Sequence, residues 1–467
     1  MIKVTNEQIE KQYRIMHAVR EQNKKLDTPP KCFIRTFGCQ QNEADSEQLR
    51  GMAAEMGYLR CDTPEEADLI LVNTCAVREH AELRALSVTG QFKKLKEKNP
   101  ALMIGVCGCM VTQEHRMAQV KKSYPYVDFL IGTGMLYKFP EILADRLSGG
   151  RRSFTVDAAE GSVAEGLPII RESKATTFVS VMYGCNNFCS YCVVPYTRGR
   201  ERSRERADII AEVKNVIRNG AKEITLLGQN VNSYSSEGRD FADLVSEICA
   251  LDGDFILRFM TSHPKDASKK LIDVMAENKK CAKQFHLPLQ SGSRRVLEVM
   301  NRKYTPESYL SLVSYMREKM PDIAISSDII VGFPGETEEE FEETLSMLRY
   351  VEFDMIFSFI YSPRPLTPAA AMECQIPPEV KSERFDRLLA LQNEISLKKN
   401  LRLVGGTERV LIEGVSKNSE SMLMGRADSN KLVHIPRTTD TEALIGSFAD
   451  VKITKAETFA LFGEIVK

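Results

Sequence analysis

The stretch TFVSVMYGCNNFCSYC, residues 177–192, decides how the rest of the chain is read. Its first half carries the β-branched and aromatic residues of a strand. Cys185, Cys189 and Cys192 follow at once, spaced four and three residues apart. Three thiolates on one short loop match three corners of a cubane iron–sulfur cluster. A structural zinc site takes four protein ligands, and a ferredoxin-type cluster takes a fourth cysteine. A cluster held by three keeps one iron open to a small molecule. The spacing alone also admits a zinc site completed by a distant His or Cys, or unligated thiols.

Downstream, the strand-then-helix rhythm recurs. TFVSVMYG, EITLLGQN, ILRFMTSH, CAKQFHLPL, AISSDIIVG and MIFSFIYS read as six strands between Thr176 and Ala371. Helical patterns such as ADIIAEVKNVIRNG and SKKLIDVMAENK separate them. Six βα units predict a partial barrel of parallel strands, with the chemistry in loops after the strand C-termini. CNNFCSYC, GQN, TSHP, QSGS and GFPGE all follow predicted strands.

Upstream, CFIRTF, DLILVNT and LMIGVCG read as strands between helical patterns, predicting a doubly wound α/β domain. Beyond a long helix pattern that ends at Gly405-Gly406, short strands with polar turns predict a five-stranded β-barrel. The expected division is a charged helical extension over 1–30, an α/β domain over 31–147 and a linker over 148–172. The (β/α)6 partial barrel then occupies 173–400 and the small β-barrel 401–467. The fold class is α/β.

With 63 basic and 64 acidic side chains in 467 residues, the net charge of −1 gives no global signature of nucleic-acid binding. Such a partner must be argued from local patches. The N-terminus has no apolar core of a secretory signal, and no run approaches a membrane span. A cytoplasmic protein without membrane contact is expected. Twelve cysteines there suit metal ligation or buried thiols better than disulfides.

Three further cysteines, Cys39, Cys75 and Cys109, each come just after one of the upstream strands, about 35 residues apart. Parallel strands place their C-terminal ends together, so the three side chains are candidates for one site. Free cysteine is also a common core residue, and Cys107 competes with Cys109 if the strand end shifts.

FGCQ-x-N-x2-DSE, NTCAVRE, GCM, GCNNFCSYCVVP, GRERSR, LLGQNVNSY, TSHP, HLP-x-QSGS, DIIVGFPGETE and YSPRP together resemble the radical S-adenosylmethionine methylthiotransferases. The resemblance runs from about residue 32 to the C-terminus, where the β module is similar to a TRAM domain, an RNA-binding barrel. It implies that Cys185, Cys189 and Cys192 hold a [4Fe–4S] cluster whose open iron binds S-adenosylmethionine. It further implies that Cys39, Cys75 and Cys109 hold a second, auxiliary [4Fe–4S] cluster carrying the sulfur for transfer. Two S-adenosylmethionine molecules would serve as methyl donor and radical source. The implied substrate is an isopentenylated adenosine beside the anticodon of tRNA, methylthiolated at C2. Threonylcarbamoyl-adenosine in tRNA or a ribosomal-protein aspartate are the alternatives within the family. Outside it stand a non-catalytic iron–sulfur RNA-binding protein and a zinc-stabilised structural protein. An electron donor such as flavodoxin or ferredoxin is implied as a partner. One departure is visible: YSPRPLTPA has Leu366 where the family has glycine.

For S-adenosylmethionine, Tyr191 offers an aromatic face to the adenine. Gln229, Asn230, Gln290, Ser291 and Asp328 offer amides, hydroxyl and carboxylate at strand ends. For RNA, YTRGRERSRER places Arg198, Arg200, Arg202, Arg204 and Arg206 at every second residue. If the stretch is extended, one face carries five guanidiniums suited to phosphates. In the β module Lys417, Arg426, Lys431 and Arg437 are candidates for one basic face. His263 and His286 read as structural.

Overall fold

The computed structural model describes residues 4–77, 79–156 and 162–466. Arg78 of the NTCAVRE stretch and residues 157–161 of the expected linker lie outside the described residues. The chain forms two compact units. One comprises Met1–Glu172 with Met182–Phe188 and Cys192–Arg204, the other Ser173–Val181, Cys189–Tyr191 and Glu205–Lys467.

The first unit is built on a parallel sheet. Its strands are β1 (Lys31–Thr36), β2 (Leu59–Arg60), β3 (Leu69–Thr74), β4 (Met103–Gly108), β5 (Phe129–Ile131) and β6 (Ser153–Thr155), in the order β2-β1-β3-β4-β5-β6. The order reverses between β1 and β3, which makes a doubly wound sheet. Alternation along β3 explains the two cores. Leu69 and Leu71 pack under α1 (Asn6–Asn23), α2 (Gln40–Glu55) and α6 (Phe139–Leu147), through Met16, Leu49, Met52 and Phe139. Ile70 and Val72 face α3 (Glu79–Gln91), α4 (Lys93–Lys98) and α5 (Glu114–Ser123), through Ala85, Leu86, Leu95 and Val120.

One expected boundary changes. Residues 153–155, expected inside a linker, are the sixth strand, pairing Phe129↔Ser153 and Ile131↔Thr155. The N-terminal extension is helical, as expected: α1 opens on a capping box between Thr5 and Gln8 and buries Gln12, Met16 and Val19.

The second unit begins with six parallel strands. They are β7 (Thr176–Ser180), β8 (Glu223–Leu227), β9 (Ile256–Phe259), β10 (Gln284–His286), β11 (Ala324–Val331) and β12 (Met355–Ile360). They form two sheets, β9-β8-β7 and β10-β11-β12, and the bridge Leu257↔Cys281 joins them. Helices α7 (Arg206–Arg218), α8 (Phe241–Cys249), α9 (Lys269–Glu277), α10 (Arg294–Val299), α11 (Pro306–Lys319) and α12 (Glu338–Val351) lie between the strands. This is the expected (β/α)6 partial barrel. After α13 (Pro378–Leu401) comes a closed barrel of β13 (Thr407–Ser416), β14 (Ser419–Ala427), β15 (Leu432–Pro436), β16 (Phe448–Ala456) and β17 (Leu461–Ile465), in the order β13-β14-β15-β17-β16. Val410, Ile412, Leu423, Val433, Ile435, Val451, Ile453 and Leu461 form its buried core. Buried Arg258 fastens this barrel to the larger one. It donates to Glu223 and to the carbonyls of Ala427 and Asp428, each at 2.7 Å. No described helix is long and apolar enough to cross a membrane.

Leu366 sits in a tight turn closed by the Thr367 amide donating to the Arg364 carbonyl at 3.2 Å. Its φ is +73°, and its side chain is 60% exposed. With Pro365 before it, this is the type II pattern, whose third position favours glycine. Leu366→Gly is therefore expected to stabilise the second unit by roughly 0.5–1 kcal/mol, the relieved left-handed strain less the added chain entropy. Leu366→Val should destabilise it; denaturant midpoints of the two variants decide. Met16→Ala, by contrast, should cost about 2–5 kcal/mol through the cavity it leaves. Hydrogen exchange should place that loss in the first unit alone.

Candidate active site

The three upstream cysteines come together. In the parallel register Thr36 pairs with Asn73 and Thr74 with Gly108, so β1, β3 and β4 end side by side. Cys39 is the N-cap of α2, where the helix terminus favours a thiolate. Its side chain meets Cys75, whose Sγ also accepts from the Val77 amide at 3.3 Å. The hydrogen bond from Cys75, then the charge of Arg198, pull the Cys39 thiol down to about 6. The same bond and burial push Cys75 up. Burial also pushes Cys109 up, while Arg198 pulls the other way.

Glycines and amides shape these loops. Gly38 has φ +138°, and a Cβ there would sit 2.6 Å from the Cβ of Cys75. Gly108, at φ +97°, turns the chain out of the sheet, and a Cβ would lie 2.3 Å from the Thr74 carbonyl. That turn separates Cys109 from Cys107, which stays in the core with Leu71 and Phe129. Beneath the loops, Asn73 donates to the Asn42 carbonyl at 2.8 Å and to Ser46 at 2.9 Å, while Asn42 donates to the Thr74 carbonyl at 3.1 Å. Sequence reasoning missed this buried network, although Asn42 and Ser46 lie within FGCQ-x-N-x2-DSE.

The arginine-rich stretch does not form the expected basic face. Arg198 and Arg204 are buried. Arg204 makes a bidentate pair with Glu165, both contacts at 2.7 Å. Arg198 donates Nη2 to Asp45 at 2.8 Å and Nε to the Cys109 Sγ at 3.1 Å. Burial works against the Arg198 charge, but Asp45, Cys109 and Cys39 more than offset it and hold its pKa above the ordinary value. Half-buried Arg202 donates to the carbonyls of Arg200 and Arg198, and Arg206 pairs with Glu247 at 2.7 Å. Arg200 is exposed, its guanidinium 4.3 Å from the Phe188 ring centroid.

The cysteine loop at 185–192 is tightly held. Gly184 has φ +76°, and a Cβ there would lie 2.1 Å from the Arg200 carbonyl. The Cys185 amide donates to the Gly199 carbonyl at 3.1 Å. Cys185 and Cys189 are buried and Cys192 is half-buried. In the second unit, the Ser190 hydroxyl donates to the Val299 carbonyl at 2.8 Å. Buried Arg302 lies against Cys189, with Nη1 3.4 Å from its Sγ, and donates to the Pro288 carbonyl at 3.0 Å. The Tyr304 hydroxyl, 3.1 Å from Arg302 Nε, caps the Leu289 carbonyl at 2.6 Å. Nothing in the sequence pattern singled out Arg302 or Tyr304.

The other candidates follow the strand ends unevenly. Half-buried Tyr191 packs on a small core with Val296, Met300 and Phe333. Gln229 and Asn230 follow β8, and Asn230 Nδ2 donates to Asp266 at 2.7 Å. Gln290 follows β10 at φ +68°, pinned by its amide to the Asp328 carbonyl. Ser291 is fully buried, its hydroxyl accepting from the Ser293 amide and facing Thr344. It is therefore structural rather than a free donor. Asp328 lies within β11, 3.6 Å from His286.

Asn230 Oδ1, both side-chain polar atoms of Asn232, Ser262 Oγ and His263 Nε2 are buried with no hydrogen-bond partner among the described residues. They cluster in the loops after β8 and β9, the positions where a barrel of this type takes its ligand. No group of three or more His, Cys, Asp or Glu among the described residues is arranged around a single metal ion. A cubane instead meets each thiolate through a different iron, so it needs the sulfurs spread apart. The three cysteines and the arginine at Cys109 supply thiolate donors for such a group, and Cys39 and Cys75, here in hydrogen-bond contact, would have to separate to reach different irons.

In the small barrel, Lys417 is exposed in the turn between β13 and β14. Lys431 is not available for RNA, because it pairs with Asp354 at 2.9 Å and Asn400 at 2.8 Å. Arg426 reaches Glu413 at 3.4 Å, and Arg437 pairs with Glu442. The candidates do not form one basic face. Sequence reading also passed over Phe459, an exposed aromatic of this module.

Residues 179–348 match the Radical SAM superfamily, 31–132 the Uncharacterized protein family UPF0004, and 401–466 the TRAM domain. The radical S-adenosylmethionine methyltransferase TsrM from Kitasatospora setae, solved with cobalamin and a [4Fe–4S] cluster, shares the fold. Its TM-score is 0.55 at 15% identity, over 73% of this chain and 77% of that one. The Radical SAM match over the partial barrel defines a radical S-adenosylmethionine enzyme. A tRNA-2-methylthio-N6-dimethylallyladenosine synthase from Acetivibrio thermocellus is 48% identical over 100% of this chain and 98% of its own. One from Clostridium botulinum strain Langeland is 49% identical over 94% of this chain and 98% of its own. The chain belongs to the family of tRNA-2-methylthio-N6-dimethylallyladenosine synthases.

His263 gives this site a pH signature. Burial, then Arg302 and Lys265, push its pKa from the ordinary 6.5 down to about 2. Its Nδ1 accepts from the Lys265 amide at 3.2 Å, so the neutral ring carries its proton on Nε2. Below pH 6.5 the unfolded chain takes up a proton that the folded ring refuses, so stability falls as pH drops from there. Between pH 6.5 and 5.5 this amounts to about 1 kcal/mol. His263→Asn should lose that component, visible as a smaller drop of the denaturant midpoint between pH 7.5 and 5.5.

Proposed function

We propose that this chain transfers a methylthio group to C2 of an N6-isopentenylated adenosine beside the anticodon of tRNA, with two [4Fe–4S] clusters and S-adenosylmethionine as cofactors. The observation that carries this reading is the presence of two three-cysteine sets in a chain of this family, each leaving one iron of a cubane open. Cys185, Cys189 and Cys192 would hold the cluster that receives S-adenosylmethionine, and Cys39, Cys75 and Cys109 the auxiliary one. Together the bound groups supply a carbon-centred radical able to activate an unreactive C–H bond and a methylated sulfur to take the hydrogen's place.

The chain's own work is positioning. Arg302 and Ser190 brace the loop around Cys189. Asn230, Asn232, Ser262 and His263 offer their unpartnered polar atoms to the ribose, the amino-acid moiety or the adenine of the ligands. The neutral ring of His263 donates without adding a charge. For the RNA, exposed Arg200, stacked on Phe188, and exposed Lys417 are the sequence candidates that would face the phosphates of the anticodon stem-loop. A small electron-transfer protein such as flavodoxin or ferredoxin would reduce the first cluster.

Incubation with hypomodified tRNAs and mass spectrometry of the nucleosides tests the reaction. The expected product is the methylthiolated isopentenyladenosine. Modification of threonylcarbamoyl-adenosine alone, or of no tRNA, would sink the assignment. Replacing Cys39, Cys75 and Cys109 together should remove about four irons from the anaerobically reconstituted chain, one cubane per set. Full iron retention would refute the auxiliary site.

A further inference from the structure

Six residues beyond Cys192, Arg198 is bonded in a way that a plain ion pair does not explain. Arg204, on the same segment, shows the ordinary solution: Nε and Nη2 both reach the Glu165 carboxylate at 2.7 Å. Arg198 is as deeply buried, yet only its Nη2 goes to Asp45, at 2.8 Å, while its Nε is aimed at the Cys109 sulfur at 3.1 Å. A buried ion pair is costly unless its remaining donors are satisfied, and a neutral thiol is a weak acceptor. A Cys109 thiolate would satisfy that donor.

The surroundings hold the arrangement in place. The Thr197 carbonyl accepts from Thr133 at 2.8 Å and from Thr112 at 3.3 Å. Val193 packs with Ala76 and Cys109 in a small apolar cluster. The segment that leaves Cys192 is thereby docked on the loops of Cys75 and Cys109.

On the reading proposed above, we infer that Arg198, oriented by Asp45, is a positioning residue for the auxiliary cluster that donates a hydrogen bond to the Cys109 sulfur and raises the cluster's reduction potential. Hydrogen bonds and positive charge at a ligand sulfur stabilise the reduced, more negative cluster. Asp45 opposes this charge while fixing its direction. The two residues therefore act on the potential with opposite signs, which a merely structural pair would not.

The test uses the full chain with Cys185, Cys189 and Cys192 replaced by Ala, reconstituted anaerobically so that only the auxiliary cluster is observed. Redox titration followed by electron paramagnetic resonance reads its midpoint. Arg198→Met should shift the midpoint to more negative values, Arg198→Lys less so, and Asp45→Asn to more positive values. An unchanged midpoint in Arg198→Met at full iron content, or shifts of the same sign in Arg198→Met and Asp45→Asn, would overturn the inference. If Arg198→Met fails to fold, Asp45→Asn decides: a positive shift supports the role, and no shift removes it. A parent chain that holds no iron overturns the auxiliary-cluster reading itself, and this inference with it.

Discussion

Parallel register in the first sheet is the constraint on which the chemistry rests. Cys39, Cys75 and Cys109 are separated by long stretches of sequence, and only the alignment of β1, β3 and β4 brings them to one edge. A slip of one residue would turn Leu69 and Leu71 toward the wrong core and carry the cysteine loops away with it. The two hydrophobic faces therefore do more than stabilise the sheet: they set the position of three sulfurs. Asn73 and Asn42 finish the alignment by tying the first turn of α2 to the end of β3.

Buried arginine is the second organising device. Arg198, Arg204, Arg258 and Arg302 are all buried, and each is held by acceptors from residues distant in sequence. A planar guanidinium with several fixed donors can serve two or three acceptors at once, which lysine cannot. Arg258 uses this to hold the small barrel against the larger one, and Arg302 uses it to brace the strand-end loop beside Cys189. Such groups fix geometry at a desolvation cost, the bargain expected where position matters more than stability.

Much of this was legible in the sequence. Most strands of the partial barrel and the five of the small barrel showed because each carries a run of strand-forming residues long enough to read, and three-residue Gln284–His286 showed only through the apolar stretch CAKQFHLPL around it. Leu59–Arg60, Phe129–Ile131 and Ser153–Thr155 did not show, because two or three residues cannot reveal a period of two. The arginine stretch misled for a different reason. Charge spacing records where guanidiniums fall along the chain, but Asp45 lies 153 residues from Arg198 and Glu165 lies 39 from Arg204. The cysteines were legible because each set follows strand ends. The unpartnered atoms of Asn232, Ser262 and His263 were not, since lacking a partner is a property of the fold.

Residues forced into left-handed backbone carry two meanings here, and their surroundings tell them apart. Gln290 has φ +68° and is held on both sides, its amide donating to the Asp328 carbonyl and its carbonyl accepting from the Ile330 amide. Phe188, at φ +47°, lies under the Arg200 guanidinium and edge-on to Tyr196. Both sit in loops that follow barrel strands, where strain persists because the neighbours over-determine it. Leu366 has the same sign of φ but an exposed side chain and a turn that Pro365 and Thr367 already define. That difference is why glycine should be tolerated at 366, and why at 290 and 188 the side chain, rather than the backbone angle, should be what the site requires.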